Sequence, residues 1–318
     1  MHHVAGLPRL EGMAETAVDV KDLSKRYGDR VVVDDVGFVV EAGEIFGILG
    51  PNGAGKTTTV ESIAGLRIGD AGSVRVHGID PWTDRRSLTR VLGIQLQESR
   101  LQPKITVREA LELWSALHPD PEPWPGLAER LGLEPHLDQR FVSLSGGQQQ
   151  RLSIALALVG RPRVVILDEL STGLDPRARR DVWQLVRDVR DAGATVLLVT
   201  HAMEEAQELC DRIAIVDHGR ITALDTPDGL IEAAGALTRT SFVPSAPTDL
   251  EALRAIRGVA SVRRADDRVV VEGIEDAALA VLSALAGQQV VPHRLRVSGA
   301  TLDTAYLDLT AHPDKEFA

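Results

Sequence analysis

The chain has 318 residues, 44% hydrophobic and 25% charged, which is enough apolar content to bury a sizeable core and rules out a disordered polymer. A net charge of -11 argues against a broad nucleic-acid-binding surface, and a single cysteine, Cys210, excludes an internal disulfide or a cysteine-rich metal site. No run approaches the roughly 20 apolar residues that span a bilayer and no apolar signal stretch opens the chain, so a cytosolic location, or a peripheral one on the cytosolic face of a membrane, is expected.

Residues 1–16 carry Gly and Pro without a sustained period and read as a loose leader, with Met13 as an alternative start. From Val18 onward, short Val and Ile runs alternate with helical stretches. VVVDDVGFVV (Val31 to Val40) and EIFGILG (Glu44 to Gly50) read as strands of a twisted core. Thr106 and Glu109 have the spacing of a capping box ahead of ALELWSAL, which predicts a helix from about Val107 to Leu117, and the prolines from Pro119 to Pro125 end it. Asp175 before Pro176 reads as an N-cap and first-turn pair opening a helix that Gly193 closes, and the strand ATVLLVT follows. Cys210, beside Leu209, reads as a reduced, helix-packed thiol. Asp217-His218-Gly219-Arg220 has the composition of a hairpin turn. The patterning then changes, placing a boundary near Ala236: a main domain over 17–236 and a small accessory domain over 237–318. The latter reads strand, helix, strand, strand, helix, strand, helix, the order of a ferredoxin-like α+β module.

Gly50-Pro51-Asn52-Gly53-Ala54-Gly55-Lys56-Thr57 matches the phosphate-binding loop pattern and lies between an apolar strand and a helix, the context that pattern requires. Such a loop points backbone N–H groups at phosphate oxygens, and the helix behind it adds the partial positive charge of its N-terminus. Lys56 is expected on the β- and γ-phosphates, Thr57 on Mg²⁺ and Thr58 on a further phosphate oxygen. Val164 to Glu169 reads as a buried strand ending in two carboxylates. Asp168 is then expected near the metal through water, in the manner of a Walker B aspartate, with Glu169 facing the attacking water.

Leu144-Ser145-Gly146-Gly147-Gln148 lies about 20 residues before that strand, and here the chain resembles the ATP-binding cassette family, whose signature loop reads LSGGQ. Ser145 and the N–H groups of Gly146 and Gly147 open a helix and form a second anion site. In the family this loop faces the γ-phosphate held by the opposing subunit, so the resemblance implies two cassettes sandwiching two ATP molecules. Further motifs fall in family order. Tyr27, in KRYGD, resembles the aromatic that stacks on adenine. Gln97 resembles the Q-loop glutamine that touches Mg²⁺ and the water; Gln95 is its rival, and register favours Gln97 because Glu98 follows it. Leu174-Asp175 resembles the D-loop at the dimer seam, and His201 resembles the switch histidine at the γ-phosphate. Leu170 stands where the family commonly has proline, and Ile94-Gln95-Leu96 is more aliphatic than the usual Q-loop lead. Neither departure removes a catalytic group, and slower or altered turnover is the largest effect expected of the first.

The resemblance covers about Val18 to Ala234 and implies an α/β P-loop NTPase cassette, a RecA-like core sheet with a helical subdomain over about 98–160, followed by a small C-terminal α+β domain. It further implies hydrolysis of ATP by phosphoryl transfer to water, with Glu169 positioning or deprotonating the water and Lys56, Gln97 and His201 assisting. The phrasing KRYGDRVVVDDVGF and LSTGLDPRARRDVW resembles the daunorubicin-resistance type of ATPase, which serves a separate ABC-2 type permease, so export of a drug, antibiotic or lipid is expected. The competing readings are the ATPase of an importer and a soluble cassette acting on ribosomes or DNA.

Overall fold

The computed structural model describes residues 15–96 and 101–311; the expected leader before residue 15, including Met13, and Gln97, expected as the Q-loop glutamine, lie outside the described residues. A hairpin of β1 (Thr16–Tyr27) and β2 (Arg30–Glu41) is followed by β3 (Ile45–Leu49), α1 (Lys56–Ile63) and β4 (Ala71–Val76). Thr16, expected in the leader, is thus the first residue of β1. A short α2 (Arg85–Leu88) and β5 (Leu92–Gln95) lead to three helices, α3 (Val107–Ala116), α4 (Trp124–Arg130) and α5 (Gly146–Leu158). Strands and helices then alternate: β6 (Val164–Asp168), α6 (Pro176–Asp191), β7 (Thr195–Thr200), α7 (Met203–Leu209), β8 (Arg212–Asp217) and β9 (Arg220–Asp225).

Two sheets enclose the main core. The larger has the order β5-β6-β7-β3-β8-β9, the smaller β2-β1-β4. The first five strands of the larger sheet are parallel, whereas the smaller sheet is antiparallel throughout. Parallel strands covered on both faces lose polar alternation, which is why β3, β6 and β7 are buried at every position. Alternate residues of those strands, Phe46 and Ile48 on β3, Ile166 on β6 and Leu197 and Val199 on β7, pack with Val18, Phe38, Val40 and Val74 of the antiparallel sheet. Phe38 and Phe46 stack with ring centroids 5.1 Å apart and join the two layers. Burying a side chain of that size contributes roughly 1.5–3 kcal/mol, so this contact is a substantial part of what holds the layers together.

Local signals set the helix ends. Thr106 Oγ1 accepts from the Glu109 N–H (3.2 Å) and Glu109 returns a carboxylate to the Thr106 N–H (2.8 Å), so the capping box fixes the start of α3. The Asp175 carboxylate accepts from the N–H groups of Arg177 and Ala178 with Pro176 at the first helical position, which starts α6 where the sequence puts it. Val182, Trp183, Val186 and Val189 then form its buried stripe. Cys210 is a free, buried thiol directly after α7. His218 (φ 47°) and Gly219 (φ 82°) make the two-residue turn between β8 and β9.

Contacts divide the chain into Met1–Leu224 and Asp225–Ala318, earlier than the boundary expected near Ala236. The difference comes from α8 (Pro227–Ala233), which packs on the last helix, α11 (Leu302–Ala311), and so belongs with the tail. Between them the second unit holds β10 (Thr238–Pro244), α9 (Leu250–Arg254), β11 (Val259–Ala265), β12 (Arg268–Gly273), α10 (Glu275–Gly287) and β13 (Pro292–Ser298). Its sheet order is β11-β12-β10-β13 with every pair antiparallel, the arrangement of a split βαβ module. Phe242, Leu253, Val271, Val281 and Leu285 build a separate core for it.

Candidate nucleotide site

Strand β3 ends at Leu49 and the chain turns at once through Gly50-Pro51-Asn52-Gly53-Ala54-Gly55 into α1. The turn is tight against β8: a Cβ on Gly50 would stand 2.1 Å from the Val216 carbonyl oxygen, so no residue with a side chain fits without moving backbone. The Lys56 side chain folds back over the loop, with Nζ donating to the carbonyl oxygens of Gly50 (2.8 Å) and Pro51 (2.9 Å). Ala54 is buried beneath it, and Gly219 donates its N–H to the Ala54 carbonyl (2.9 Å). These contacts pin the loop from both sides. Burial pulls the Lys56 ammonium below the ordinary lysine range, while Glu169 and Asp168 favour the charged form and oppose that shift.

The loop opens on a cleft of about 380 Å³ lined by Arg30, Val32, Asn52, Gly53, Gly55, Lys56, Thr57, Thr58, Asp168 and Glu169. Its floor is the N-terminus of α1, whose N-cap, Gly55, makes no side-chain capping bond, leaving the first N–H groups directed at whatever fills the cleft. Arg30 and Val32, on β2, are lining residues that the sequence did not single out. Tyr27 does not line the cleft; it is 41% exposed and paired across the hairpin with Arg30, so it stands beside the mouth. Lys25 and Arg67 lie over its ring, at 5.8 and 5.5 Å from the centroid.

Opposite Lys56, β6 delivers the two carboxylates. Asp168 is buried, and its N–H donates to Gln95 Oε1 (3.1 Å). Gln95 therefore ties β5 to the end of β6, a role the rivalry with Gln97 did not anticipate. Glu169 has φ 52°, a left-handed backbone that strains any residue with a side chain, and its N–H is held by the Val199 carbonyl (2.9 Å). Its carboxylate is fixed by Thr172 Oγ1 (3.4 Å) and by His201 Nδ1, 3.0 Å from Oε1. The Glu169 side chain is only 8% exposed and that of His201 44%, so the carboxylate is shielded while the imidazole stands at the opening. Leu170, the departure from proline, is buried; a proline there would press Glu169 toward extended backbone, which leucine does not do.

Ser145, Gly146, Gly147, Gln148 and Asp175 are absent from the lining of this cleft. They form a second cluster in the same unit. Ser145 caps α5: its Oγ accepts from the Gln148 N–H (3.4 Å) and its own N–H donates to Gln148 Oε1 (2.8 Å). A Cβ added at Gly146 or Gly147 would meet Leu174 and Ala178 respectively at 3.4 Å, an ordinary contact, so this helix start lies beside the beginning of α6. Asp175 has its carboxyl held below the usual range by the N–H groups of Ala178 and Arg177, so it is ionised at the start of α6. The described residues thus form a phosphate-loop cleft faced by two carboxylates and, outside its lining, a capped helix N-terminus at Ser145.

Comparison with known proteins agrees with this geometry. The family profile described as "ABC transporter" matches residues 33–172. The Nod factor export ATP-binding protein I of Rhizobium etli is 38% identical over 248 residues, 76% of this chain and 78% of that protein. A solved "ATP binding subunit of ABC transporter" superposes with a TM-score of 0.63 at 31% identity, over 69% of this chain and 94% of that one. A dimeric, post-hydrolysis ATP-binding cassette bound to ADP and Pi superposes with a TM-score of 0.59 at 26% identity, over 66% and 98%. With the phosphate loop, the paired carboxylates and the capped signature helix in place, this chain belongs to the ABC transporter family as an ATP-binding, ATP-hydrolysing cassette.

Proposed function

We propose that this chain energises export through a separate ABC-2 type permease, two copies closing around two molecules of Mg-ATP. The observation that carries the reading is the separation of the two half-sites: Lys56, Asp168 and Glu169 line one cleft, while Ser145 to Gln148 stand outside it. A complete site then needs the signature helix of a second cassette. Export is supported by the name of the Rhizobium etli relative, and the membrane partner by family membership. Among the described residues no helix is long and apolar enough to cross a membrane.

Thr57 and Asp168 offer oxygen donors to one cleft, the chemistry a hard cation takes, and one or two protein ligands plus phosphate oxygens suit Mg²⁺. Bound there, Mg²⁺ would offset charge on the β- and γ-phosphates. Lys56 exchanges its two carbonyl partners for phosphate oxygens. Asn52, Gly53 and Gly55 present backbone N–H groups, Thr58 adds a hydroxyl, and Tyr27 covers the adenine from the β1–β2 turn. Glu169 accepts the proton of the attacking water, with His201 holding its carboxylate in orientation, and Gln97 couples the cleft to the permease. Ser145, Gly146 and Gly147 of one copy, aligned by Gln148, close on the γ-phosphate bound by the other, and Asp175 lies at the seam. No nucleic acid is needed.

The test is co-purification of tagged Glu169→Gln protein, with ATP, from membranes of cells that also express its neighbouring genes. Capture of a multi-span membrane protein supports the reading. Capture of ribosomes or DNA in its place would overturn the transporter part, and a requirement for an extracellular binding protein would turn export into import.

A further inference from the structure

The glutamine of the signature loop has a second bond that the loop itself does not explain. Gln148 Oε1 accepts from the Ser145 N–H at 2.8 Å, which leaves the amide nitrogen pointing away from the cap. That nitrogen lies 2.9 Å from Nε2 of His136, on the short 3₁₀ turn Glu134–His136 that follows α4. The two contacts fix each other. If the amide were turned over, its NH₂ would face the Ser145 N–H, two donors head to head, and the capping box would be lost. With the amide as it stands, Gln148 is the donor, so His136 Nε2 must be the acceptor and the ring proton must sit on Nδ1. His136 Nδ1 is buried and has no partner among the described residues, so none of them competes at that nitrogen to choose the tautomer.

We propose that His136 is a positioning residue for the signature loop: its Nε2 lone pair holds the Gln148 amide in the one orientation that caps Ser145. The relay runs His136, Gln148, Ser145 and ends at the helix N-terminus offered to the partner's ATP. A flipped or wandering Gln148 leaves the Ser145 N–H without its acceptor and loosens the first turn of α5. The nucleotide cleft of the same chain does not touch any of these three residues. The effect therefore falls on closure of two cassettes and spares ATP binding by one.

This inference rests on the dimer reading above. Its test uses the full chain in a Glu169→Gln background, with ATP-dependent dimer formation followed by sedimentation. Fluorescent-ATP affinity and melting temperature are measured on the same protein under dilute, monomeric conditions. His136→Leu removes the acceptor in both chains, and the loss of one hydrogen bond at each of the dimer's two caps, at about 1 kcal/mol each, weakens dimer formation by roughly 30-fold. His136→Gln supplies a carbonyl oxygen in place of Nε2 and recovers it, while monomer ATP affinity and melting temperature stay within about twofold and about 2 °C of the parent for both variants. In a Gln148→Leu background, His136→Leu adds no further loss, because the two residues act in series. The relay is overturned if His136→Leu dimerises like its parent, if glutamine fails as badly as leucine, if the two losses add, or if monomer affinity or melting temperature falls with them. A Glu169→Gln parent that never dimerises with ATP strikes the dimer reading itself, and the relay with it.

Discussion

Gly50→Ala tests how the phosphate loop is held. The new Cβ would stand 2.1 Å from the Val216 carbonyl oxygen, a backbone atom on β8 that cannot rotate away, whereas an unstrained contact needs more than 3 Å. Roughly 1 Å has to be found by moving either the loop or β8, and overpacking of this kind costs about 1–3 kcal/mol. The same shift displaces the Gly50 carbonyl that accepts from Lys56 Nζ. Misplacing a catalytic group by about 1 Å lowers rate on the order of 100-fold. The control is Gly43→Ala, which isolates the opposite cost: Gly43 has a positive φ, 83°, which Gly50 does not, but a Cβ there would meet no atom within 4 Å, so only backbone strain of about 1 kcal/mol is expected. Steady-state hydrolysis against ATP concentration, with a melting curve for each variant, separates the two. Gly50→Ala should lose about 100-fold in kcat/KM with a lowered melting temperature, and Gly43→Ala should lose melting temperature alone. Equal activity in the two variants would refute the claim that contact with β8 positions the loop.

Trp183 Nε1–H donates to Glu205 Oε1 (3.0 Å), and Glu205 is 1% exposed with its other oxygen unpartnered among the described residues, so Trp183→Phe should destabilise by about 1–3 kcal/mol in calorimetry. Adding Glu205→Leu should recover more than half of that loss; a further loss would show that the buried carboxylate is satisfied in another way. Asp175 has its folded pKa lowered by the α6 N–H groups, so its stabilisation is present above the ordinary carboxylate value and disappears as pH falls through the lowered one. Asp175→Asn keeps the cap without the charge and should flatten the acid limb of melting temperature below about pH 4; an unchanged limb would count against the cap. Burial, reinforced by Glu205, Asp211 and Glu44, pushes the Cys210 thiol well above its usual range. A thiol reagent at neutral pH should react with native protein only at the rate of unfolding, and fast labelling of the folded chain would contradict the buried assignment.

What the sequence made legible was contiguous. Gly50 to Thr58, Leu144 to Gln148 and Val164 to Glu169 each carry their chemistry within one strand–turn–helix step, where a motif and its flanks can be read together. The capping pairs Thr106–Glu109 and Asp175–Pro176 placed helix starts for the same reason. The alternation of strands and helices after residue 237 appeared as read, but the order β11-β12-β10-β13 depends on pairings between distant segments. The boundary was misplaced because α8 joins the tail through α11, some 70 residues further on. Arg30 and Val32 line the cleft only because β2 passes over the loop, and Gln95 reaches Asp168 only because β5 lies beside β6. His136 was invisible as a lone histidine; the histidine–glutamine contact appears when the 3₁₀ turn meets the start of α5.

The central claim, that each hydrolytic site is built from the phosphate loop of one chain and the signature helix of another, is tested most directly by mixing two inactive variants. Lys56→Met disables the cleft and Ser145→Arg the signature helix. At equal mixing half the dimers hold one chain of each kind, and each of those contains one intact composite site, so about a quarter of the parent ATPase rate should return. A mixture as inactive as its components would mean that cleft and signature loop serve the same chain, and would contradict the account.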